Sequence, residues 1–157
     1  MKKNIIKVVS ATVLLACVGG VSFAKTLKAE KVDLKAVSKI INSDFKPKIE
    51  KDGTKIAIKS NGSSFVKLND TNKILSVSSR WQLKEGVTAV DAAVLANKIN
   101  SEFNLVQASF RDATRDESEC FVLEAAISYA GVLDSDNLNY TIKQYTEAAA
   151  KLESLLK

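Results

Sequence analysis

The residues most able to do chemistry are four carboxylates in one short charged stretch, RDATRDESE: Asp112, Asp116, Glu117 and Glu119. Acids this dense can hold a hard cation, but a calcium loop needs ligands at set spacings and a glycine at its sharp turn. The stretch has neither, and Arg111 and Arg115 sit among the acids. It reads as a solvated hairpin tip, and no metal is expected. Just beyond it, Cys120 opens an apolar run with no lysine, arginine or histidine beside it to stabilise a thiolate, so a half-buried small residue is expected there. Glu124 lies inside that run, on the face opposite Leu123 and Ala125, which places it toward solvent or at an edge.

The sequence contains no histidine at all. That removes Ser-His-Asp and Cys-His catalysis, together with the commonest zinc ligand. No phosphate-cradling loop is present either, since the glycines beyond the first segment stand singly at 53, 62, 86 and 131. The expectation is a protein that is not an enzyme, with no cofactor.

The opening MKKNIIKVVSATVLLACVGGVSFA has a basic start, an apolar run and small residues at Ser22 and Ala24, the layout of a secretory signal peptide. Two other readings remain. The run is almost long enough for a retained anchor, although Lys7, Gly19 and Gly20 oppose that. Leu14-Leu15-Ala16-Cys17 also resembles a lipobox, in which Cys17 would carry lipid. Cleavage between Ala24 and Lys25 is preferred. It would give an exported protein, periplasmic or secreted, of 133 of the 157 residues. Lys2, Lys3 and Lys7 would leave with no acid, so the net charge falls from +5 to +2. That is no electrostatic case for nucleic acid or, after cleavage, for membrane. Cys120 would then stand alone in an oxidising compartment.

One domain is expected over residues 32–157, after a flexible lead-in at 25–31. Asp33 can cap a helix with Leu34, Val37, Ile40 and Ile41 on its apolar side. The period then shifts to two: Ile56 and Ile58, Val66 and Leu68, Leu75 and Val77 alternate with polar neighbours. Asp52-Gly53, Asn61-Gly62 and Asp70-Thr71-Asn72 supply the turns of an antiparallel meander. The last strand leads to Trp81, the sole tryptophan. Thr88 and Asp91 can form a capping box for a helix burying Ala92, Leu95, Ala96, Ile99 and Phe103, with Asn97, Lys98, Asn100 and Glu102 facing away. Strands from Leu105 to Phe110 and from Cys120 to Tyr129 follow. A final helix, capped near Asp134 to Asp136, carries Leu138, Ile142, Tyr145, Ala149, Leu152 and Leu156 as a seam that suits a sheet or a second subunit.

The fold class is thus α+β, an antiparallel sheet packed by helices in the order α-β-β-β-α-β-β-α. That order, with KILSVSSRWQ, TAVDAAVLANKINSEF, ECFVLEAAISYAG and DSDNLNYTIKQYTEAAAKLESLLK, resembles the YbjN family of bacterial proteins, across roughly Val32 to Lys157. The resemblance implies a fold like that of type III secretion chaperones and a regulatory or chaperone-like role, with no catalytic residues to carry over. The expected function is an exported protein-binding module, acting on a protein partner or as a homodimer. The alternative is an envelope protein holding a small ligand or lipid between sheet and helices. Arg80, Trp81 and Tyr145 are the candidate contact residues, with Trp81 and Tyr145 equally readable as core.

Overall fold

Alternation with period two places every second side chain of a strand on one face, and a sheet of such strands needs helices only on its apolar side. The computed structural model describes residues 25–60, 62–111 and 119–156. The expected signal segment with Cys17 and Ala24 lies outside them, as does the charged stretch with Asp112, Asp116 and Glu117. The elements run β1 (Thr26–Lys28), α1 (Leu34–Ile40), β2 (Lys48–Ile49), β3 (Ile56–Ser60), β4 (Gly62–Asn69), β5 (Ile74–Gln82), α2 (Ala89–Glu102), β6 (Gln107–Arg111), β7 (Cys120–Ser128), β8 (Val132–Asp134) and α3 (Ser135–Leu156).

Six strands form one sheet in the order β2-β3-β4-β5-β7-β6, every neighbour antiparallel. Because β5 and β6 both run against β7, they run parallel to each other, and α2 makes the crossover between them with β7 inserted later. Register sets the inner face: Ile56 opposite Val66, Leu75 opposite Ile127, Val77 opposite Ala125 and Trp81 opposite Phe121. All three helices contribute to the one buried cluster on that face, through Val37 of α1, Ala92, Ala96 and Ile99 of α2, and the seam of α3. Leu138, Ile142, Tyr145, Ala149 and Leu152 have no exposed surface. Burying each large aliphatic side chain contributes about 1.5–3 kcal/mol, so this seam anchors the layer. It is spent on the chain's own sheet and offers nothing to a helix of another subunit.

The caps follow the local chemistry. Asp33 accepts from the Ala36 amide at 2.7 Å and starts α1. Thr88 and Asp91 form the reciprocal capping box of α2, and the hydrogen bonds from Thr88 lower the Asp91 pKa. Gly53 takes its hairpin position at φ +69. In the β4–β5 turn the left-handed residue is Lys73, at φ 52, instead of one of the turn formers Asp70 to Asn72.

Three short strands depart from the expected order. β2 is a two-residue edge strand immediately after Pro47, where the missing amide removes no ladder bond. Residues 25–31, expected as a flexible lead-in, are instead β1 and a 3-10 turn. The cause is pairing: Thr26, Leu27 and Lys28 lie opposite Asp134, Leu133 and Val132 of β8 in a separate two-stranded sheet. The Lys25 amide also donates to Ser135 Oγ at 2.8 Å, and half-buried Leu27 packs on the core.

Two asparagines fasten the helices. Asn139 of α3 donates to the Ile40 and Ser135 carbonyls at 2.9 and 2.8 Å and accepts from the Asn42 amide at 2.6 Å. It thereby ties the end of α1 to α3. With a net value near 1 kcal/mol per hydrogen bond, Asn139→Ala should cost about 1–2 kcal/mol. Urea denaturation checks this as a lower midpoint at unchanged slope; an unchanged midpoint would mean that water replaces all three bonds without penalty.

The second is Asn100 of α2. Its side chain accepts from the Ala108 amide at 2.6 Å and donates to the Ala108 carbonyl at 3.0 Å. Amide and carbonyl of one strand residue point the same way, so these are the groups of β6 that face away from β7. Asn100 therefore occupies part of an open sheet edge that could otherwise pair with another chain.

Candidate functional site

The three candidate contact residues separate. Tyr145 is fully buried, and its hydroxyl shares hydrogen bonds with Ser64 Oγ at 3.2 Å and with Ser79 Oγ. Ser64 in turn shares one with Ser60, so a small polar network crosses the apolar layer from β3 to α3. Burial pushes the Tyr145 pKa up, against the pull of its two serine partners. A residue so enclosed has no surface to offer a partner, which corrects its candidacy as a contact. Trp81 lies on the inner face, opposite Phe121, half-buried against the core at one end of the sheet. Arg80, its neighbour in sequence, is exposed on the outer face. Adjacent strand residues point to opposite sides, so Arg80 and Trp81 cannot share one contact surface.

The outer face is the surface that the helices leave. On β3 and β4 it shows Lys59 and Lys67, both exposed, and half-buried Phe65, whose ring centroid lies 4.0 Å from Lys55 Nζ. On β5 it shows Ser76, Ser78 and Arg80, and on β7 Glu124 and Ala126. Toward the hairpin end, Val122 and Cys120 are buried at 4% and 7% exposure, opposite Arg80 and Arg111 respectively. Cys120 is thus an enclosed thiol and not a nucleophile presented to solvent.

Toward the other end the outer face sinks into a trough of about 620 Å³. Its floor is made of short side chains, Ser76 and Ala126, with Ile74 on β5 and the loop Asn104 to Val106 as walls. Glu124 lies within it, half-buried on β7, an interior strand and not an edge. A second depression, about 430 Å³, lies between α1, the β2–β3 hairpin and the end of β4, with Asp33 and Asp70 in its lining. The first is not between sheet and helices, where the alternative expectation placed a ligand, and the second reaches only the margin of that layer, where α1 meets the β2–β4 side of the sheet. That layer is filled by Leu75, Leu123, Leu138, Ile142 and Tyr145, all without exposed surface.

Asp70 has its own partner. Tyr129, at the end of β7, donates its hydroxyl to Asp70 at 2.7 Å, and burial followed by this carboxylate pushes the Tyr129 pKa up to about 12. Its amide also donates to the Lys73 carbonyl at 2.8 Å, so Tyr129 closes the β4–β5 turn. Among the described residues no group of three or more Cys, Asp or Glu is placed to hold a metal ion, and no helix is long and apolar enough to cross a membrane.

No protein-family model and no curated protein matches the sequence. Among solved structures, the crystal structure of YbjN from E. coli is similar over 78% of this chain and 93% of its own, with a TM-score of 0.61 and 14% identity. The chain has the YbjN fold. At that identity the likeness to YbjN speaks for architecture alone, since residues that act in one such sheet need not recur in another.

Sequence reasoning placed Glu124 on the correct face but not in a depression, because the trough depends on which strand ends and loops meet there. It passed over Ser64 and Ser79, although alternation puts Ser79 on the same face as Leu75 and Val77. A serine at an inward position demands a buried partner, and that was the available signal.

Proposed function

We propose that this is an exported, non-catalytic protein-binding module of the chaperone or adaptor kind, which engages its partner through the outer face of the six-stranded sheet. The observation that carries the reading is the one-sided architecture: every helix packs on the inner face, and the outer face presents short side chains with exposed Lys59, Lys67 and Arg80. The short side chains Ser76, Ser78 and Ala126 admit close approach of another backbone, and the charges around them select the partner and speed encounter. The YbjN likeness supports this through fold alone. The absence of histidine from the sequence supports the non-catalytic part. The export part rests on the first 24 residues.

The test places a photo-crosslinking residue at Lys67 on the outer face, or at Lys143 on the solvent side of α3, in the protein produced in living cells. The expected result is one dominant adduct from position 67 and none from 143. The partner identified in it should bind the purified protein and lose affinity on Lys67→Glu. Equal labelling from both positions, or self-adducts alone, overturns the reading. The intact mass of the same sample should begin at Lys25; retention of residues 1–24 would overturn processing.

A further inference from the structure

We infer that the trough on the outer sheet face is a binding site for a small aliphatic amine, with Glu124 as the counter-ion of its ammonium group. This inference stands apart from the protein-binding reading. At about 620 Å³ the trough lies within the range of small-molecule sites, roughly 300–1,000 Å³. Its construction is that of a site for an amphipathic cation. Ile74 and Leu105 give apolar wall, and Ser76 and Ala126 are short enough to leave the floor open. Asn69, Asn104 and Gln107 offer amide oxygens and nitrogens at the rim.

Among the described residues, Glu124 is the only ionisable side chain in the lining. Among the described residues no lysine or arginine pairs with it, and no side chain or backbone amide donates to it. A half-buried carboxylate without a fixed donor is better placed to meet an incoming ammonium than one already neutralised. The polarity of the site also selects the class. An anion would face Glu124, and a wholly apolar ligand would leave that carboxylate desolvated without compensation. An alkylammonium satisfies the carboxylate with its head and the walls with its methylenes.

The experiment is a titration of the purified, isotopically labelled protein followed by amide chemical shifts. Cadaverine is the probe, and 1-pentanol is a neutral probe of similar length. Saturable shifts confined to Ser76, Leu105, Glu124 and Ala126 are expected with cadaverine and not with pentanol. Glu124→Gln should weaken cadaverine binding by about tenfold or more, the value of one charge-assisted hydrogen bond. Ala126→Lys, at an exposed position, should abolish it by placing a tethered ammonium in the trough, while the thermal midpoint stays that of the unmodified protein. The inference is overturned by shifts that do not saturate, by equal response to pentanol, or by cadaverine binding that survives both substitutions. A blocked Ala-Lys-Ala peptide that saturates these shifts where cadaverine does not would also overturn it, by assigning the trough to a lysine side chain of a polypeptide.

Discussion

Tyr145→Ala lowers the unfolding free energy by about 3–5 kcal/mol, the usual cost of removing a large aromatic side chain from a packed layer. Tyr145 is wholly enclosed between α3 and the sheet, and its hydroxyl serves two serines on neighbouring strands. The substitution therefore opens a cavity and also strands Ser79 Oγ in an apolar layer. For a domain whose total stability is of order 5–15 kcal/mol, the loss leaves a large unfolded fraction or an insoluble product. Tyr145→Phe separates the two causes. It keeps the packing and removes only the hydroxyl, so about 1–3 kcal/mol is expected. Denaturant titration of both variants measures the pair. If Tyr145→Phe is neutral, the serines find water or each other, and the polar network contributes nothing to stability.

Stability is also expected to fall steeply between pH 10 and 12, and Tyr129 is the group to watch. Its folded-state pKa, about 12, lies above the ordinary 10.0, because burial and the neighbouring Asp70 carboxylate both oppose the phenolate. Below pH 10 the phenol is protonated in folded and unfolded chains alike, and its contribution is complete. Above pH 10 the unfolded chain releases a proton that the native chain keeps, so stability drops until Tyr129 also ionises in the fold. Tyr145, shifted in the same direction, adds to that slope. The informative measurement is the difference from Tyr129→Phe, which cancels whatever the two proteins share. At pH 7 that variant should lose about 1.5–3 kcal/mol, the value of a hydrogen bond to a charged acceptor. Its stability should then decline less than that of the parent from pH 10 to 12. An identical decline in the two proteins would show that Tyr129 ionises as freely folded as unfolded.

These two tyrosines also mark how far the sequence could be read. The seam of α3 and the Thr88–Asp91 box of α2 were legible, because helix period and capping are local rules with a short reach. The meander from Ile56 to Gln82 was legible for the same reason, two-residue alternation broken by turn formers. β1 and β8 were not, because three residues carry no measurable period and their pairing joins positions more than a hundred residues apart. Asn100 and Asn139 were read as facing solvent or passed over. Nothing in their neighbourhoods announces a bond to a backbone that only the finished fold brings near.

The outer face was half legible. Alternation assigned Glu124 to the side away from the helices, and the structure keeps it there. The trough beside it, and the separation of Arg80 from Trp81, depend on strand order and on where a strand ends. The opposite facing of Arg80 and Trp81 follows from alternation alone and argues against grouping neighbouring strand residues into one contact surface.

The pairing of residues 26–28 with 132–134 has a consequence in time. A chain that emerges amino end first can fold its hairpins from Ile56 to Gln82 as soon as they appear, since each closes a short loop. β1 has to wait until about two thirds of the polypeptide has followed it, and β7, which enters between β5 and β6, is itself made late. During that interval the β5 flank that β7 will cover stands open, and closing such distant contacts is the slow part of folding. The late step of folding is therefore a clasp: β1 meets β8 just as α3 settles over the sheet, and the two are locked together only when the far end of the fold arrives.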